Sequence, residues 1–212
     1  MMSSVELSFL DMGFSWTMSK ALPYVLAMII GLVLAFLFRK KLNKNVLVKW
    51  LFRITLFVLP FFGYFMYSPI YEGDFTNKSN SIEKTEQFAE LDGKKLVVIS
   101  IPGCPYCYQA IDRMKILKER LPNAQIEYVV CNTTMDSLLP QEALDWYIEK
   151  AEGVVSVRQA TDSEAMAILA QNGEVNSAFP AFVLVDGDKN LTTWGNANFG
   201  VVALDEVELK LK

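Results

Sequence analysis

Ile101-Pro102-Gly103-Cys104-Pro105-Tyr106-Cys107 separates two kinds of sequence. Before it stands an apolar, β-branched run, Leu96-Val97-Val98-Ile99-Ser100-Ile101. Such a run reads as a strand covered on both faces. After it, Ala110, Ile111, Met114, Leu117 and Leu121 recur at helical spacing from Pro105 to Leu121, an apolar stripe along one helix face. A strand that delivers two cysteines, two residues apart, to the first turn of a helix is the layout of a dithiol redox site.

Composition narrows the surroundings of that pair. The chain has 212 residues, is 52% hydrophobic and carries a net charge of −4. Charge and apolarity both divide near residue 71. Residues 1–71 hold long apolar runs and seven Lys/Arg against Glu6 and Asp11, a net of +5, which leaves −9 for residues 72–212. An acidic domain argues against nucleic acid as a partner. There is no histidine, which removes Cys–His and Ser–His–Asp catalysis and most zinc and copper sites. Three cysteines are too few for a disulfide scaffold.

Ala21 to Phe38 runs 18 residues without a charge and ends in Arg39-Lys40-Lys41. That length meets the threshold for a spanning helix. A cleaved signal peptide fits poorly, because the positive charges follow the apolar run and no small-residue cleavage site comes after it. A second uncharged run, Ile54 to Tyr71, is rich in aromatics and contains Pro60, which membrane helices tolerate. Trp50, Tyr67 and Tyr71 lie where interfacial aromatics belong. Six positive charges fall between Arg39 and Arg53. The positive-inside rule assigns the link between the runs to the cytoplasm. The expected layout is a short extracytoplasmic N-terminus (1–20), a transmembrane hairpin over 21–71 with spans at about 21–38 and 54–71, a linker (72–85) and a domain (86–212). In a bacterium this is a multi-pass protein of the inner membrane with its C-terminal domain in the periplasm. A dithiol there can cycle through a disulfide. The linker, polar with Gly, Ser and Asn, reads as a tether.

Within the domain the expected order is a helix over Ile82–Leu91, a strand over Lys95–Ile101, a helix over Pro105–Leu121 and a strand over Gln125–Cys131. The second strand is expected to lie parallel to the first, since a helix joins them. A helical insertion follows, from about Met135 to Val175. It contains Pro140–Ala151 and a helix opened by the capping box Thr161-Asp162-Ser163-Glu164. Ala181–Asp186 and Asn190–Trp194 read as a hairpin, and an amphipathic helix is expected from Leu204.

This order, with Cys104-Pro105-Tyr106-Cys107 after the first central strand and Phe179-Pro180 just before the strand Ala181–Asp186, resembles the thioredoxin superfamily over roughly residues 82–212. The resemblance implies an α/β thioredoxin-like fold with a helical insertion, preceded by the two-helix hairpin. It also implies a cis proline at Pro180, packed against the dithiol, that exposes the Phe179 backbone to bind substrate as an extended strand. Two departures stand out: Gly103 replaces the aromatic residue usual before the first cysteine, and Val98 replaces a buried acid found in many members.

The residues assign catalytic roles to Cys104 and Cys107, with Pro105 and Tyr106 in the active-site loop; the resemblance implies that Phe179 and Pro180 bind substrate, the other reading of Pro180 being an ordinary strand-leading proline. Cys104, at or before the first helical turn, is favoured as the thiolate by unpaired backbone N–H groups and the helix dipole. Cys107, a turn deeper, is the resolving thiol. An inert buried pair and a metal site are the other readings. A metal needs further ligands, and with no histidine only Cys131 or carboxylates remain. Cys131 itself reads either as a small buried hydrophobe or as a third thiol.

The function expected is a membrane-tethered thiol–disulfide oxidoreductase. Its partners are protein thiols and disulfides, a separate redox partner and membrane lipid; no cofactor is implied. The alternative is a structural or interaction subunit of a membrane complex, for which Cys104→Ser leaves function intact.

Overall fold

A computed structural model of the chain describes residues 2–38, 46–83, 93–131, 141–161, 179–187 and 190–212. Three expectations lie wholly or mainly outside these residues: most of the basic link at 39–45, the helix from Thr161 to Asn172, and the expected helix over 82–91 beyond Glu83. The described chain divides into two compact units, Met1–Tyr71 and Glu72–Lys212.

The first unit is helical. Helix α1 (Ser4–Asp11) opens with a capping box: the Ser3 hydroxyl accepts from the Glu6 N–H, and the Glu6 carboxylate accepts from the Ser3 N–H at 2.7 Å. The sequence carries this Ser-x-x-Glu signature, so a helix stands where only a short N-terminal segment is expected. Helix α2 (Trp16–Leu37) is N-capped by Ser15, and helix α3 is Val46–Tyr67. Both are longer than the charge-free runs because a helix does not stop at a charge. Thus α2 includes Lys20, and α3 includes Lys49 and Arg53 but ends before Ser68.

Helix α2 packs on α3, and α1 packs on α2. A polar cluster joins all three. Glu6 is 0% exposed and Lys20 2% exposed, with Nζ–Oε1 at 3.2 Å. The same Glu6 oxygen accepts from the Ser68 hydroxyl at 2.7 Å and the Tyr64 hydroxyl at 3.1 Å. Lys20 also donates to the Ser68 hydroxyl and the Pro69 carbonyl, and the Tyr24 hydroxyl donates to the Ser68 carbonyl. A buried ion pair is tolerable only when its remaining lone pairs and protons are met in this way.

The second unit is built on a six-stranded sheet in the order β1-β6-β5-β2-β3-β4. The strands are β1 (Asn80–Glu83), β2 (Lys94–Ser100), β3 (Gln125–Val130), β4 (Ser156–Gln159), β5 (Ala181–Asp186) and β6 (Asn190–Gly195). β2, β3 and β4 run parallel, whereas β5, β6 and β1 pair antiparallel. The mixed sheet follows from the connections: helix α4 (Pro105–Arg120) joins β2 to parallel β3, while β5 and β6 are too close in sequence, Asp186 to Asn190, to pair other than antiparallel. Helix α5 is Gln141–Ala151 and helix α6 is Val201–Leu211.

β2 is central, and its residues from Lys95 to Ser100 are all buried. Alternation sends Val97 and Ile99 to one face, with Val129, Cys131, Val183, Val185 and Leu191. Val98 belongs to the opposite set, level with Tyr128 of β3 and Phe182 of β5. Helix α4 covers that face through Ala110, Ile111, Met114 and Leu117, each fully buried. Burying each of the last three contributes about 1.5–3 kcal/mol. Arg113 of α4 lies over the Phe182 ring and donates to the Phe199 carbonyl at 2.9 Å and to Asn196 Oδ1 at 3.1 Å. Burial lowers its pKa, and these acceptors hold the loop that leads into α6. Arg120 ties α4 to α6 through Glu208 at 2.6 Å.

Several expectations are corrected. Residues 72–83 are not a free tether: they form a 3-10 turn (Glu72–Asp74) and edge strand β1. Ile82 and Glu83 are therefore strand, not the start of a helix, because they pair with Leu191 and Asn190 of β6. The turn is fastened to the domain. A Cβ on Gly200 would overlap the Gly73 carbonyl, and a Cβ on Gly73 would overlap the Ala197 carbonyl. Asn77 accepts from the Trp194 indole N–H and donates to Glu206. Strand β4 lies within the expected helical insertion, where pairing with β3 makes Ser156–Gln159 a strand. The last helix starts at Val201, since its first turn buries Val201 and Ala203.

Candidate active site

β2 ends at Ser100, and the chain crosses Ile101, Pro102 and Gly103 before α4 begins. Gly103 sits at φ +71°, with nothing within 4 Å of where a Cβ would lie. The left-handed backbone favours glycine over the usual aromatic, although there is room for a side chain. Pro105 follows in the first helical turn, where its missing N–H costs nothing.

Cys104 is the N-cap of α4 and is joined to Cys107 by a disulfide, with Cα atoms 5.2 Å apart. Its sulfur accepts a hydrogen bond from the Cys107 N–H at 3.1 Å. Cys104 is 9% exposed and Cys107 0%, so an incoming sulfur reaches Cys104 first. A sulfur aligned with the unpaired N–H groups of a helix start is stabilised as an anion. The geometry therefore suits thiolate chemistry at Cys104, with Cys107 held in attacking range behind it.

The Phe179–Pro180 bond is cis. The Phe179 carbonyl oxygen lies 3.7 Å from Cys104 Sγ, and Pro180 is buried while Phe179 is half-buried. All six residues named from the sequence thus lie in the active-site loop or at the start of β5. Pro105 and Tyr106 are on the exposed rim, Tyr106 at 60%. Cys131 is buried beyond the end of β3, its N–H donating to the Ser100 carbonyl at 2.8 Å. It belongs to the apolar cluster against which Phe179 packs. Among the described residues no group of three or more Cys, Asp or Glu is placed to hold a metal ion.

Two residues that the sequence reading did not select lie under the loop. The Tyr147 hydroxyl donates to the Ile101 carbonyl at 2.7 Å, and the Tyr128 hydroxyl donates to the Cys107 carbonyl. Their rings stack with centroids 5.7 Å apart. Burial pushes both phenols up, Tyr147 to about 12, with the Ser100 hydroxyl opposing; in Tyr128 the neighbouring Tyr147 adds to the rise and Arg113 opposes it. The only hint in the sequence is a tyrosine inside an apolar strand, Tyr128, whose hydroxyl needs a partner; nothing in the spacing around Tyr147 marks it.

The Redoxin family pattern matches residues 72–205. Solved structures that this chain matches include a secreted Mycobacterium tuberculosis disulfide oxidoreductase homologous to E. coli DsbE. It is 18% identical, with a TM-score of 0.43, over 58% of this chain and 86% of that one. M. tuberculosis dsbF is 17% identical, with a TM-score of 0.44, over 59% and 85%. A SCO1/SenC family lipoprotein from Bacillus anthracis str. Ames is 13% identical, with a TM-score of 0.42, over 67% and 99%. No curated protein matches the chain. The family match covers more than half of the chain and contains the strand–dithiol–helix core and the cis proline, so the chain belongs to the Redoxin family, with a thioredoxin-like α/β fold.

Proposed function

We propose that this chain is a membrane-tethered thiol–disulfide oxidoreductase that exchanges disulfides with extracytoplasmic proteins through Cys104 and Cys107. The observation that carries the proposal is the hydrogen bond from the Cys107 N–H to Cys104 Sγ at a helix N-terminus, with Cys104 at 9% exposure the less buried cysteine of the two. In the oxidising direction a substrate thiolate attacks Cys104 Sγ. A mixed disulfide forms, and the Cys104–Cys107 bond breaks with Cys107 leaving as thiolate, which takes a proton. A second substrate thiolate then attacks the substrate sulfur of the mixed disulfide and releases Cys104 as thiolate. The substrate loses two electrons and two protons; the pair takes both electrons and one proton, at Cys107, and the other proton goes to solvent. The reducing direction runs the same steps backwards. Phe179 and Pro180 line the approach to Cys104, and a substrate segment lies there as a short extended strand.

The membrane reading is supported by α2 and α3, each 22 residues and strongly apolar, about 33 Å long at 1.5 Å per residue, against a hydrocarbon core of about 30 Å. The basic residues between them favour a cytoplasmic link and a periplasmic 72–212 unit. Residues 1–71 contain no cysteine, so electrons reach the dithiol through a separate redox partner.

The test is equilibration of the full chain, in detergent micelles, with glutathione redox buffers. A reversible two-electron titration of the Cys104–Cys107 pair is expected, abolished by Cys104→Ser. A pair that stays oxidised or reduced across the whole range refutes the proposal. In sealed bacterial cells with a permeable outer membrane, an impermeant maleimide should label the reduced pair; protection from the reagent refutes the topology.

A further inference from the structure

The loop from Ile101 to Cys107 has a buried phenol at each end. Ile101 lies one residue beyond β2, so its carbonyl has no partner in the β2 ladder; Tyr147 supplies one at 2.7 Å. At the other end Tyr128 donates to the carbonyl of Cys107. Tyr128 comes from β3, directly beside Val98 in register. Tyr147 comes from α5, outside the strand–helix–strand core. Helix α5 is itself set against α4: Trp146 stacks on Tyr108 at 4.0 Å and 10°, and Lys150 pairs with Asp112 at 2.8 Å. The stacked Tyr128–Tyr147 pair therefore refers both ends of the loop to one rigid platform.

We propose that Tyr128 and Tyr147 are positioning residues for the dithiol, holding the Ile101 and Cys107 carbonyls so that the Cys107 N–H stays aimed at Cys104 Sγ. The inference rests on the exchange activity proposed above. Beside Val98, where no side chain can ionise, the loop is held by neutral donors. Burial keeps both phenols protonated well above neutral pH, so their grip does not change as the thiols titrate. They place no negative charge beneath a sulfur that must itself become an anion. On this view α5 is part of the active-site frame rather than decoration on the minimal fold.

The experiment uses Tyr147→Phe and Tyr128→Phe in the full chain in detergent micelles; each keeps the ring and removes only the hydroxyl. After chemical reduction, the pH profile of Cys104 alkylation by iodoacetamide should move to higher pH in both variants. The equilibrium constant against glutathione should move about 3- to 10-fold toward the disulfide form, a tenfold change being about 30 mV for a two-electron couple. A merely structural hydroxyl lowers the unfolding midpoint and leaves the profile and the equilibrium constant at their wild-type values; that result overturns the proposal. If Tyr128→Phe does not fold, Tyr147→Phe, acting from α5, decides the matter alone. If the wild-type pair fails to equilibrate with glutathione, exchange activity is refuted, but the alkylation profile of the reduced protein still decides the role of the two phenols.

Discussion

The junction of the helical unit and the frame of the dithiol loop satisfy their buried polar groups by opposite means. In the helical unit a carboxylate and an ammonium are buried face to face, Glu6 and Lys20, with Ser68, Tyr64 and the Ser3 N–H meeting the rest. Under the dithiol loop the donors that hold the Ile101 and Cys107 carbonyls are neutral phenols. Charge gives a strong, directional junction between three helices, but one that fails badly if either partner is lost. Neutral donors give weaker bonds, yet they impose no fixed charge on a neighbour whose own charge must change. A clasp and a reaction site thus call for different chemistry, and this chain uses each kind where it suits.

The largest effect is expected at the charged junction. Lys20→Met strands the Glu6 carboxylate without its ammonium and should cost about 3–5 kcal/mol. Adding Glu6→Gln should restore much of that, because the uncompensated charge is gone. Denaturant unfolding of the full chain in micelles measures both, and equal losses in the single and double variants would show that the ion pair is not what joins α1 to the hairpin.

The neutral site should respond less. Tyr147→Phe leaves the buried Ile101 carbonyl without its donor and should cost about 1–3 kcal/mol. Its pH dependence has a definite sign. The folded pKa of Tyr147 is raised from 10.0 to about 12, so the folded state holds this proton more tightly than the unfolded chain. Its contribution is fully present below about pH 10 and is lost as pH rises toward about 12. Unfolding free energy should fall across that window and fall less steeply in Tyr147→Phe. A slope unchanged by the substitution would detach Tyr147 from the alkaline transition.

The smallest stability change tests the loop backbone itself. Gly103→Ala meets open space but must adopt φ +71°, a cost of about 1–2 kcal/mol. An alanine that costs nothing by the same unfolding measurement would mean that the loop backbone can leave this conformation freely.

How much of this was legible in the sequence follows the range of the interactions. Cys104-Pro105-Tyr106-Cys107 announces a helix start because Pro105 and the apolar stripe after it act within a few residues. Ala181–Asp186 announces a buried strand for the same reason. β1 was missed because Asn80-Ser81-Ile82-Glu83 is an exposed edge; it has one apolar residue and is made a strand by pairing with β6, more than a hundred residues away. β4, Ser156-Val157-Arg158-Gln159, is likewise too short and polar to show a period, and its pairing with β3 creates it. Helix α1 did carry a local signal, Ser3 and Glu6, but what fixes it is Lys20 of α2 and Ser68, just past the end of α3. The phenols under the loop come from β3 and α5 and meet only in the folded chain. No spacing rule connects Tyr128 to Tyr147, or either of them to a carbonyl.

The crossing of Gly73 and Gly200 has a consequence for how this domain can be moved between proteins. The turn at Glu72–Asp74 lies against the start of α6 with no space for a side chain, and Asn77 reaches both Trp194 and Glu206. Opening and closing segments of the unit are therefore sewn to each other. A graft that begins at β1 or β2, as the strand order invites, leaves the far end of the domain unfastened; a transplantable copy starts no later than residue 72.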